Sequence, residues 1–170
     1  MNTYEAIQKR RSIRRYEARL VEKETIERLL RAAMQAPSAA NQRPWEFIVV
    51  ENKDTLAKLA KAHPYASPMQ EAPLGIVVLA NEAGLKFPQY WQQDLAAATQ
   101  NLLLAAVENG LGAVWMGVAP EEDRMKYITE LFQLPTGVTP FAMLALGYSA
   151  ENQFVDRFEA NRIHYESYKN

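Results

Sequence analysis

Residues 93–117 read QDLAAATQNLLLAAVENGLGAVWMG, and the fold turns on them. The first part continues a helical pattern over 89–109. Its apolar residues go almost all round: Leu95, Ala96, Ala97, Ala98, Leu102, Leu103, Leu104, Ala105, Ala106 and Val107. A helix apolar on every side is covered on every side. In a chain of 170 residues that describes a central core helix or one covered by a second subunit. The alanines permit close helix approach, and a homodimer interface is the expectation. Gly110 stands where a left-handed cap stops the helix. GLGAVWMG (110–117) then reads as a strand.

Outward from this helix–strand unit, three more stretches read as buried strands: WEFIVVE (45–51), LGIVVLA (74–80) and PFAMLALGY (140–148). Helical patterns lie between and before them. Residues 2–9 begin with Asn2 as a cap and Glu5 at the capping-box position. Over 22–35, Ile26, Leu29, Leu30, Ala33 and Met34 keep the i, i+3, i+4 spacing. Pro37 ends that helix. A short amphipathic helix is predicted over 53–62. Pro120, Glu121 and Glu122 open another, with Met125, Ile128 and Phe132 inward. The proline-rich HPYASPMQEAP (63–73) reads as a loop with His63 exposed. The tail over 151–170 is polar with interspersed aromatics and no strong period. No linker, repeat or low-complexity segment divides the chain. The expected class is α+β: one domain over 1–170, with four or so strands in a layer and helices packed on them.

Composition narrows the function. Net charge is −1, so no global field recruits nucleic acid or an anionic membrane. There is no cysteine, which removes disulfides, thiolate metal sites and cysteine nucleophiles. His63 and His164 lie far apart without ligand spacing, so no metal site is expected. The N-terminus lacks an apolar signal region, and the helix over 95–107 falls short of a membrane span. A cytoplasmic location is the default expectation.

Three stretches carry candidate chemistry. RRSIR (10–14) concentrates guanidinium groups around a hydroxyl, a donor set matched to phosphate oxygens. PSAANQRPW (37–45) stiffens a connection with Pro37 and Pro44 and offers Ser38 and the Asn41 amide, which can pair with a heterocycle edge. GLGAVWMG has glycines at both ends, allowing backbone to approach a flat ligand. Taken singly, each has a bland alternative: a solvated basic turn, a structural loop anchored by Trp45, and ordinary strand ends.

The order and spacing of RRSIR, APSAANQRPW, QDLAAATQNLLLAAVENGLGAVWMG, LFQLPTGVTPFAMLALGY and DRFEANRIHY (156–165) resemble the FMN-dependent nitroreductase family over nearly the whole chain. The resemblance implies a nitroreductase-like α+β fold with a central mixed sheet flanked by helices, in an intertwined homodimer. FMN would sit at the interface, with NADH or NADPH as electron donor. Arg10, Ser12 and Arg157 would hold the ribityl phosphate, and Arg11 would contact it from beside. Arg14 would stand near the flavin N1 and O2 edge. Pro37, Ser38, Ala39 and Asn41 would line the ring from the other subunit. Trp115, Met116 and Gly117 would lie against the ring near N5. No catalytic side chain is implied, because the hydride chemistry belongs to the flavin. The implied activity is ping-pong reduction of a nitroaromatic, quinone or similar small aromatic acceptor. A specialised reaction of the same fold, such as reductive dehalogenation or flavin turnover, stays open, as does a flavin-binding module without turnover. Members often have glutamine where this chain has Arg43, and often proline where it has Ser149. The segment between 80 and the long helix is short, which implies a more open site.

Other residues have quieter readings. Asp94 on the apolar helix suggests a hydrogen bond across the dimer interface. Arg162 could assist Arg157. Glu121 and Glu122 read as helix-start charge rather than an acid–base pair.

Overall fold

LGIVVLAN is buried along nearly its whole length, which places it inside a sheet with both faces covered. The computed structural model describes residues 1–149 and 155–168. Its elements in chain order are α1 (Thr3–Lys9), α2 (Lys23–Met34), β1 (Trp45–Val50), α3 (Lys53–Leu59), α4 (Pro68–Glu71), β2 (Leu74–Asn81), α5 (Trp91–Glu108), β3 (Leu111–Gly117), α6 (Glu122–Phe132) and β4 (Val138–Tyr148). The sheet order is β1-β2-β4-β3.

All three pairings in this sheet are antiparallel. The expected mixed sheet is therefore corrected in detail. The parallel contribution is one isolated bridge, Ser12 to Ala113, on the outer edge of β3. There Ile13 N–H donates to the Ala113 carbonyl at 2.9 Å. Gly112 makes this approach possible, since a Cβ there would stand 2.6 Å from Ile13 Cγ2. RRSIR thus runs beside β3 because Gly112 leaves room for Ile13.

Side-chain alternation splits the core in two. Ile76, Val78, Ala80, Ala142, Leu144 and Leu146 face α2 and α5, together with Leu29, Ala33, Leu95, Ala98 and Leu102. Val77, Leu79, Met143, Ala145, Val114 and Met116 face the other way, onto Leu56, Leu59, Met69 and Ile128 of α3, α4 and α6. On α5 the buried residues are Asp94, Leu95, Ala98, Thr99, Leu102, Leu103 and Ala106. Ala96, Ala97, Leu104, Ala105 and Val107 are only half-buried. The chain itself therefore covers one side of this apolar helix and leaves the other partly open.

Several local expectations change. Asn2 does cap α1, its Oδ1 accepting from Glu5 N–H at 2.9 Å. Pro120 does not open α6; the helix begins at Glu122 behind Glu121. The loop over 63–73 contains α4, with Pro68 in its first turn. His63 is buried at 8% exposure rather than exposed. Its Nδ1 accepts from Tyr65 N–H at 3.1 Å, so its Nε2 carries the proton in the neutral ring. Part of the expected tail, residues 151–154 and 169–170, lies outside the described residues.

Candidate functional site

Arg11 organises the first half of the site. Its guanidinium donates to the Arg10 carbonyl and to the Val155 carbonyl, both at 2.6 Å. The second bond ties residues 155–158 to the end of α1. Arg10, Arg11 and Arg157 then line one cavity of about 370 Å³ with Tyr4, Gln100 and Phe158. Asp156 also lines it, its carboxylate accepting from Phe158 N–H at 3.0 Å. Burial, then the like charges of Arg157 and Arg11, hold the Arg10 guanidinium below its usual pKa. Arginine stays charged under such pressure, so the cavity keeps its positive charge.

Ser12 and Arg14 do not join this cavity. Ser12 is exposed beside Ala113. Arg14 is exposed further along, its guanidinium donating to the Ser12 carbonyl at 3.3 Å. The parallel direction of the bridge carries Arg14 toward the Trp115 end of β3. Trp115 is half-buried with its ring edge-on to Phe141 at 5.6 Å. Met116 is 4% exposed and packs in the α3–α6 layer, so its side chain points away from Trp115 and only its backbone remains for a ligand. Gly117 is exposed with open space where a Cβ would be. Its carbonyl accepts from the Arg124 guanidinium at 3.0 Å.

The second half is the connection between α2 and β1. Ala40, Asn41 and Arg43 have φ of 47°, 55° and 47°, in the left-handed region that asparagine tolerates and most other residues avoid. Side chains hold this geometry. Ser38 Oγ accepts from Arg43 N–H at 3.0 Å. Gln42 pairs with the Phe87 backbone, donating to its carbonyl at 3.1 Å and accepting from its N–H at 3.0 Å. Asp94 completes the clamp: Oδ1 accepts from Ala39 N–H at 2.8 Å, and Oδ2 accepts from Gln42 Nε2 at 2.6 Å. Asp94 is 4% exposed. Both of these partners lie within its own chain, where the sequence pointed to a second subunit. The signal for it was present as a single acid on an otherwise apolar stretch of helix; its partners were not.

Pro37, Ser38 and Ala39 line a cavity of about 420 Å³ with Tyr90, Gln93, Asp94 and Ala97. Asn41 faces a different one of about 390 Å³. None of these residues lines the arginine cavity of the same chain. Arg162 makes an ion pair with Glu159 at 2.7 Å and is not among the residues lining that cavity. His164 stacks on Tyr168 at 4.2 Å between centroids. No cluster of potential metal ligands occurs among the described residues. No helix among them is long and apolar enough to cross a membrane.

The geometry defines a class: an α+β protein with a cationic cavity at one sheet edge and a strained, clamped loop over its central helix. The sequence model described as the Nitroreductase family matches residues 7–63 and 63–148, and the chain belongs to that family. It is 48% identical over 169 residues, 99% of this chain and 88% of the other, to a Methanothermobacter thermautotrophicus protein named "Putative NADH dehydrogenase/NAD(P)H nitroreductase". A crystal structure titled "Putative NADH Oxidase" from Clostridium acetobutylicum superposes with a TM-score of 0.94 at 52% identity, covering 96% of this chain and 99% of that one. A structure titled "FMN-dependent Nitroreductase" from Clostridium difficile R20291 gives 0.89 at 31% identity, covering 96% and 98%.

Proposed function

We propose that the protein is an FMN-dependent oxidoreductase that draws electrons from NADH or NADPH and passes them to a small aromatic acceptor such as a nitroaromatic or quinone. It works as a single domain over 1–170, in a cytoplasmic homodimer. The observation that carries this reading is the convergence of Arg10, Arg11 and Arg157 on one cavity. Three like charges repel, and a phosphate monoester relieves that repulsion while accepting charge-assisted hydrogen bonds. The donor chemistry therefore fits the phosphate of FMN. Family membership and a relative named as FMN-dependent support the same assignment.

In this reading Arg10 and Arg157 hold the phosphate with Arg11 beside it, and Ser12 stands at the rim, outside the cavity that the arginines line. The Arg11 side chain is engaged with two carbonyls, so it mainly fixes the position of the 155–158 segment. Arg14 places a cation toward the Trp115 end of β3, where it favours charge building on a reduced ring. Trp115, the Met116 backbone and Gly117 form a wall that a flat ligand can approach. Pro37, Ser38, Ala39 and Asn41 serve a second copy of the chain, since on their own chain they face other cavities. Bound FMN supplies the hydride chemistry, so the protein's part is to bind, orient and limit access.

The test is a flavin titration of the purified protein, followed by addition of NAD(P)H under anaerobic conditions. The expected results are a yellow stoichiometric complex, bleaching by NAD(P)H, and parallel lines in steady-state double-reciprocal plots. Arg157→Ala should weaken FMN binding by about tenfold, the loss of a charge-assisted bond. Failure to bind FMN sinks the reading. Binding without bleaching converts it to a flavin-binding module.

A further inference from the structure

The cavity of about 390 Å³ that Asn41 faces lies between residues 40–46, which lead into β1, and residues 81–86, which leave β2. Hydrogen bonds fix its walls beyond both ends. At one end Asn81 N–H donates to the Pro44 carbonyl at 2.7 Å. At the other, Gln42 bonds the Phe87 backbone at 3.0 and 3.1 Å. Its size falls within the range of small-ligand pockets. Arg43 lines one wall and Lys86 the other. Both are exposed, and neither belongs to an ion pair among the described residues. The carboxylate lining the same space, Glu46, accepts from Asn81 Nδ2 at 2.7 Å. Arg43 sits at φ 47°, a conformation a bulky residue adopts only at a cost. The chain thus holds two cations across a pre-formed gap, neither of them in an ion pair among the described residues, while the one carboxylate lining the gap, Glu46, is engaged by Asn81.

We propose that this cavity is an anion-reading subsite, in which Arg43 and Lys86 take a phosphate or carboxylate group of a substrate. It rests on the oxidoreductase reading for its purpose, because Asn41 of the same loop is assigned to the flavin site. The matching chemistry is an oxyanion bound in a fork by guanidinium and capped by an ammonium. Two sources supply such a group: the 2′-phosphate that distinguishes NADPH from NADH, and a carboxylate on the acceptor. The subsite makes the enzyme choose by charge, where the flavin alone would not.

The test compares wild type, Arg43→Gln, Lys86→Gln, the double variant and Arg43→Lys as FMN-loaded enzymes. Two ratios of kcat/KM are read: NADPH over NADH, and 4-nitrobenzoate over 4-nitrobenzamide. Each neutralised charge should lower one ratio by about 3- to 5-fold, the worth of an exposed charge contact. Arg43→Lys should restore most of it, and added salt should erase the difference. A fall in the first ratio assigns the donor phosphate; a fall in the second assigns the acceptor carboxylate. Calorimetric titration with 2′,5′-ADP against 5′-AMP, and with 4-nitrobenzoate, gives a readout that needs no turnover. Both ratios and all titrations indifferent to both substitutions would overturn the proposal. Should the protein bind no FMN, the oxidoreductase reading fails while the calorimetric comparison still decides the subsite.

Discussion

Removing the Asp94 carboxylate should loosen the loop over residues 39–42 that it holds. Asp94 accepts two hydrogen bonds, from Ala39 N–H and Gln42 Nε2, while being 4% exposed. In Asp94→Asn the amide oxygen can keep Ala39. The amide nitrogen then faces Gln42 Nε2, and Gln42 cannot turn over because Phe87 fixes both ends of its side chain. A bond to a charged group contributes about 1.5–3 kcal/mol, so losing one and weakening the other costs about 3 kcal/mol. Relaxation of the left-handed residue Ala40 returns about 1 kcal/mol. The net loss is about 2 kcal/mol, or about 4–8 °C in Tm for a chain of this size. Thermal unfolding followed by circular dichroism, at fixed protein concentration, measures it. FMN affinity should fall in the same variant, because the loop that loses its clamp is assigned to a neighbour's flavin. An Asp94→Asn protein that melts within a degree of wild type and binds FMN equally well would refute the clamp.

Four further outcomes are expected. Ala40→Gly should raise Tm by about 2–4 °C, since glycine accepts the positive φ at no steric cost and the gain is about 1 kcal/mol; no gain would mean that φ is relaxed in solution. Gly112→Ala should destabilise by about 1–3 kcal/mol in denaturant unfolding, because its Cβ would stand 2.6 Å from Ile13 Cγ2, and it should weaken FMN binding by displacing RRSIR. Burial, then Arg124, lower the pKa of His63 from its ordinary 6.5. The unfolded chain therefore takes up the proton first, so stability is complete above about 6.5 and declines as pH falls below it. His63→Gln should flatten that slope in unfolding free energies measured between neutral and mildly acidic pH. Finally, the Tyr148 hydroxyl, donating at 2.5 Å, and then Arg19 hold Glu22 at about 2 against an ordinary 4.5. The stability this contributes is present above the ordinary value and is lost as pH falls through about 2. Tyr148→Phe should raise the Glu22 pKa, read by carboxyl NMR titration.

The strands were legible because continuous apolar runs bounded by glycine and proline leave few other choices. LGIVVLA, WEFIVVE and PFAMLALGY became β2, β1 and β4 with ends shifted by at most two residues. Pairing direction was not legible, since a fully buried strand reads the same in either orientation. Three of the four arginines in the site assignment were visible as charge, and Arg157 only by family resemblance. What brings Arg157 near Arg10 is the bond from Arg11 to Val155 across 144 positions, which no local pattern encodes. The Asp94 clamp spans 55 and 52 positions and was hidden for the same reason. The left-handed Ala40 and Arg43 contradict their own propensities. Only the surrounding bonds dictate them, and a propensity reading places such strain nowhere.

These same bonds bear on assembly. Gln93 and Ala97 line the cavity of Pro37–Ala39, and Gln100 lines the arginine cavity. At i, i+4 and i+7 the three lie along one side of α5, spanning about 10 Å of helix axis. The two cavities thus open on a shared side of α5, next to half-buried Ala96 and Leu104. A two-fold packing of a second copy along this side is self-complementary. Such a packing would bring the arginine side of each chain toward the 37–41 loop of the other and would cover the apolar surface that the chain leaves open. Substituting Ala97 with a bulky charged residue such as glutamate should therefore abolish the dimer and FMN binding together. A monomer that still bound FMN with full affinity would show that one chain completes the site alone.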